Sequence, residues 1–173
     1  MQLSKLEEKI INNNIEEAKK IIEEIGYRKN VEEVPLLIHN LVNTDNNILR
    51  NAIAIALSDI GSVEAIEPLI SMLSHPKTIG ARGTLMYALE AFDCSAYAEL
   101  ITDFLSEDSF EVSRQSLILL ESNAANISIE VKQRCIKKIQ DKIEFLHNKI
   151  EFLSESLEVL ADKETTGQVI KNV

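Results

Sequence analysis

The chain has 173 residues with 45% hydrophobic content but only five Gly, three Pro and no Trp, enough apolar material for one packed domain and a balance that favours long helices over a turn-rich β fold. Its formal net charge is −10, and the stretch from Val31 to Ile127 holds four basic residues against fourteen acidic ones, so the middle of the chain carries that whole charge. An acidic body repels phosphate, which argues against nucleic acid as a ligand; no apolar run approaches the ~20 residues of a membrane span, and the acidic N-terminal residues do not read as a signal peptide, so a cytoplasmic protein without membrane contact is expected.

Leu3, Leu6 and Ile10 recur at helical spacing, Asn12, Asn13 and Asn14 turn the chain, and Ile15, Ala18, Ile22 and Ile25 form a second apolar stripe. Lys and Glu crowd the opposite faces. Residues 1–29 therefore read as a capping hairpin with one side in water.

From Asn30 to Glu121 the chain matches itself at a spacing of 32 residues. Leu37, Leu69 and Ile101 share one slot; Leu41, Leu73 and Leu105 share another. The same spacing aligns Arg50, Arg82 and Arg114, then Ile53, Leu85 and Leu117, then Ala56, Ala88 and Leu120. Three units follow, at about 30–61, 62–94 and 95–127. In the first, Val34, Leu37, Ile38 and Leu41 make one apolar helix face, residues Asn43 to Asn47 form a polar turn, and Ala52, Ile53, Ala56, Leu57 and Ile60 make a second face. Gly61 stands where a helix end commonly takes positive φ, and Asn30, Ser62, Ser95 and Ser128 stand where side-chain oxygens can cap first-turn amides.

These units resemble the HEAT repeat. Pro35 and Pro68 lie in first helices, Arg50 and Arg82 follow them early in second helices, and Asp45 and Asp108 sit in the turns. The third unit lacks the Pro, and the second has His75-Pro76-Lys77 where the turn acid belongs. The resemblance covers Asn30 to Ser122 well and the capping hairpin loosely. It implies an all-α fold, a short α-solenoid of helical hairpins, whose second helices line the concave side and whose arginines bond turn carboxylates and helix ends. It also implies a protein-binding scaffold or adaptor, although HEAT-like relatives include pigment lyases and DNA glycosylases, so an enzyme or enzyme accessory is the alternative.

Residues 128–161 read as one long C-terminal helix, followed by a polar tail at 162–173. Ile136, Ile139, Ile143, Leu146, Ile150, Leu153, Leu157 and Leu160 keep a heptad seam, and Phe145, Phe152 and Val159 form a second series about 130° round the helix at ~100° per residue. The seam is a candidate self-association surface for a homodimer, which makes a self-assembling structural protein a further alternative function; packing against the chain's own hairpins is the other reading.

His39, His75 and His147 lie in different elements, Cys94 and Cys135 are isolated, and the carboxylates fall on polar faces. Neither metal ligation, a cofactor nor catalysis is expected from them. The feature that asks for a function lies on the second helices. Ala54 with Ile55, Met86 with Tyr87, and Ile118 with Leu119 are apolar pairs on the face away from the inferred core, rimmed by Asn51, Ser58, Glu90 and Gln115. Either these pairs form a contact stripe for a basic protein or peptide, or neighbouring helices of a curved array bury them.

Overall fold

The structure, a computed structural model, describes the backbone of residues 4–169 and the side chains of residues 4–161. Among them the chain forms nine α-helices and no strand. Leu3, the first member of the N-terminal stripe, and residues 170–173 of the tail lie outside the described residues.

A capping box opens α1 (Lys5–Ile11): the Glu7 N–H donates to the Ser4 hydroxyl at 3.1 Å and the Ser4 N–H donates to the Glu7 carboxylate at 2.7 Å. The asparagine turn, with Asn13 at φ +57°, leads into α2 (Ile15–Tyr27). Leu6, Ala18 and Ile22 are buried between α1, α2 and the hairpin that follows.

That hairpin is α3 (Val34–Asn43) and α4 (Asn47–Ile60). Its turn ends on Asn46, whose side-chain oxygen accepts from the Ile48 and Leu49 N–H groups, and Gly61 closes α4 at φ +74°. The second hairpin is α5 (Ile66–Ser74) and α6 (Gly83–Leu89); the third is α7 (Ala98–Asp103) and α8 (Phe110–Asn123). A short 3-10 turn precedes each of α3, α5 and α7.

The second helices α2, α4, α6 and α8 pack on one another in chain order, and the core lies between this layer and the first helices. Contact between successive second helices is more extensive than that between α3 and α5. The closest approach joins α2 to α4: a Cβ added to Gly26 would stand 2.8 Å from the Ala56 Cα, so only glycine fits.

Two expectations need correction. Asn30 and Ser128 do cap, accepting from Glu32 and Val131, but Ser62 makes no capping bond, and before the third hairpin Asp93 replaces Ser95, accepting from the Ser95 N–H at 2.9 Å. The larger correction concerns the third hairpin. Its first helix keeps the 32-residue register, with Ala98 and Ile101 buried as Val34 and Leu37 are. Its second helix runs one residue early: α8 buries Val112, Ser116 and Leu119 as α4 buries Leu49, Ile53 and Ala56, while Leu117 is 48% exposed.

The cause lies in α7. Its last turn tightens into a 3-10 turn over Phe104–Ser106, so helix and turn use 6 and 3 residues where α3 uses 10. A 3-10 turn rises ~2.0 Å per residue against ~1.5 Å in an α-helix, so the shorter segment still reaches the turn.

The last helix, α9 (Ile129–Val169), runs on past Ala161 into the segment read as a polar tail. It starts as the first helix of a fourth hairpin would, alongside α7 and parallel to it. Arg134 pairs with Glu99 at 2.7 Å and Lys138 with Asp103 at 2.6 Å, each a step of four along both helices. Ile127, Val131 and Cys135 pack with Ala98 and Leu120 beneath these pairs. No helix among the described residues is long and apolar enough to cross a membrane.

Candidate interaction surface

The second-helix layer divides the six apolar residues proposed as a stripe. Ala54, Met86 and Leu119 are 0% exposed and belong to the core, so they cannot touch a partner. Neighbouring helices in the stack cover them, and this half of the stripe reading is corrected. Ile55 and Ile118 are half-buried and Tyr87 is 56% exposed. In α4 and α6 the buried member of each pair comes first; in α8 it comes second, because α8 is advanced by one residue. A row of one residue per helix remains: Ile55, Tyr87, Ile118.

Polar groups flank this row. Asn51, Ser58 and Gln115 are half-buried and Glu90 is exposed. The Gln115 Nε2 donates to the Glu90 Oε1, tying the end of α6 to α8. Sequence reading missed the share of the capping hairpin. Lys19 and Glu23 of α2, with Ile48, Asn51, Ile55 and Asp59 of α4, line a groove of about 360 Å³. Its basic member is engaged, since Lys19 lies 3.5 Å from Glu23, and Asp59, Glu90 and Glu121 add exposed carboxylates on the second helices. The periodicity of Lys19 and Glu23 marked them as solvent-facing, and only the packing of α2 on α4 brings them beside Ile55.

The arginine row also divides. Arg50 is 1% exposed; its Nη2 donates to the Thr44 carbonyl at 2.6 Å and its Nη1 to Asn47 Oδ1. The Arg82 Nη1 pairs with Glu107 in the next hairpin, and its guanidinium lies 5.2 Å from the Phe104 ring centroid. Arg114 is exposed and joins neither. These are bonds of a structural kind, to turn carbonyls and turn carboxylates.

All eight seam residues of α9 are exposed, from 36% at Ile139 to 69% at Leu157; Ile139, Ile143 and Leu146 line one side of a groove of about 680 Å³ whose other side is Thr102, Leu105 and Ser106 of the third hairpin. Phe145, Phe152 and Val159 are exposed as well. None of the eight seam residues is buried within the chain.

The shifted carboxylates, Glu7, Glu17, Asp93 and Glu130, are all held below their ordinary range by hydrogen bonds: to Ser4, to Lys9, to Ser95, and to the Glu130 backbone and Ser128. Burial pushes the Cys94 thiol up to about 11, with the Asp93 charge adding to it. Among the described residues no group of three or more His, Cys, Asp or Glu stands together as a metal-holding cluster.

Residues 3–90, just over half of the chain, match the family model for HEAT repeats. No curated protein and no solved structure matches the chain.

Proposed function

Because the chain belongs to the HEAT-repeat family, whose members are generally protein-interaction scaffolds, we propose that it is a non-enzymatic scaffold binding a basic protein or basic peptide segment along its second-helix layer. The observation that carries this reading is the row of Ile55, Tyr87 and Ile118, left accessible within the stretch that holds the chain's net charge of −10. An apolar row supplies contact area, and an aromatic at its centre is the kind of residue that dominates binding energy. The surrounding carboxylates accept charge-assisted hydrogen bonds from Lys or Arg, speed encounter with a cationic segment and repel an anionic one.

The test uses a fluorescent, lysine-rich amphipathic peptide followed by anisotropy. Binding should weaken by about 2 kcal/mol in Tyr87→Ala, roughly thirtyfold, with helicity unchanged. An acidic peptide of the same length should not bind. Equal binding of both peptides, or indifference to the Tyr87 change, would overturn the assignment.

A further inference from the structure

The seam of α9 is complete and regular, and all eight of its residues are exposed. At its a positions stand Ile136, Ile143, Ile150 and Leu157; at its d positions stand Ile139, Leu146, Leu153 and Leu160. Between Ile139 and Ala161 the helix has no buried residue. An isolated helix presenting such a stripe to water is unstable by itself, since helical stability comes mainly from covering an apolar face. We propose that the occupant is a second copy of this chain, and that two α9 helices form a parallel, two-stranded coiled coil.

Three observations select that occupant and that orientation. β-Branched residues at three of the four a positions, with leucine at three of the four d positions, favour two strands over three or four. The flanking positions decide the direction. In a parallel pair Lys142 faces His147 of the partner subunit and Lys149 faces the partner's Ser154, and no like charges meet. In a fully overlapped antiparallel pair Lys149 would face the partner's Lys149, which costs stability. Finally, the hairpin stack holds α9 through Val131, Arg134, Cys135 and Lys138, a face about 130° from the seam at ~100° per residue. Ile139, Ile143 and Leu146 edge a groove beside the third hairpin but keep 36–49% of their surface exposed, so a partner helix can reach the seam. The stripe of Phe145, Phe152 and Val159 continues that stack-facing line and stays outside the coiled coil. Both hairpin stacks would then lie at the same end of the dimer.

The proposal is tested on the full chain by sedimentation equilibrium and by cross-linking. Wild type should sediment at twice the chain mass at tens of micromolar, and Ile150→Glu with Leu153→Glu should sediment as a monomer while keeping the helical signal of the hairpins. Leu157→Cys should give a disulfide-linked dimer under mild oxidation, because parallel pairing sets position 157 opposite its own copy. An antiparallel pair would separate the two by more than 20 Å. A monomeric wild type, a trimer or tetramer, a dimer that survives the double glutamate change, or a Leu157→Cys dimer that fails to cross-link would each overturn it.

Discussion

Ser113 of α8 donates to the Glu107 carbonyl at 3.0 Å, the bond that Arg50 of α4 makes to the Thr44 carbonyl at 2.6 Å, so a serine holds the third rung of the arginine row. The 32-residue spacing assigns that rung to Arg114, which is exposed. A pair of substitutions separates the two assignments. Arg50→Ala should cost roughly 2–4 kcal/mol, because it leaves a turn carbonyl and Asn47 without a donor and opens a cavity. Arg114→Ala should stay within about 0.5 kcal/mol. Urea midpoints of the two variants decide; comparable losses would restore the original register.

Leu73 is 0% exposed, in a slot that is apolar in all three units. Leu73→Ala should cost about 2–5 kcal/mol. Leu117→Ala, in a slot whose other members Ile53 and Leu85 are both buried, should cost about 1 kcal/mol or less, since Leu117 lies half in water. Thermal unfolding of the two proteins under one buffer measures the contrast, and equal losses would contradict the advanced register of α8.

Gly26→Ala places a methyl carbon 2.8 Å from the Ala56 Cα, against backbone that cannot swing aside. The helices α2 and α4 would have to separate, at a cost of roughly 1–3 kcal/mol despite the better helix propensity of alanine. A variant as stable as wild type would mean that the capping hairpin is not seated on α4 as described.

The raised pKa of Cys94 gives a signed prediction. The folded thiol keeps its proton up to about 11, whereas the unfolded one loses it near its ordinary ~8.5. Its contribution to stability is therefore complete below ~8.5 and falls away as pH rises towards 11. At pH 8 the folded chain should leave Cys94 unmodified by iodoacetamide, as peptide mass spectrometry would read, while the urea-unfolded chain is labelled. Rapid labelling of folded Cys94 would contradict its burial.

The all-α fold was legible because helical periodicity, the asparagine turns and Gly61 are local signals, and the described residues are helical with no strand. The register of α8 was not, because it depends on a 3-10 tightening at Phe104–Ser106 that leaves no composition cue. A one-residue advance turns a helix by ~100°, enough to move Leu117 out of the core and Leu119 into it. The proposed contact stripe suffered from the same local view. Residues such as Ala54 and Met86 face away from their own first helix, yet the next second helix in the stack covers them, and that neighbour is set by the array. Tyr87 survived because α6 keeps the 32-residue register and Tyr87 points out of the layer there.

A basic ligand should leave a footprint on the second-helix layer of the folded chain. Backbone amide shifts recorded while the lysine-rich peptide is titrated should move together around Ile55, Tyr87 and Ile118, extend to Lys19 and Glu23, and shrink as salt is raised. Shifts confined to the first helices α3 and α5 or to α9, or a footprint indifferent to salt, would contradict a basic partner bound on the second-helix layer.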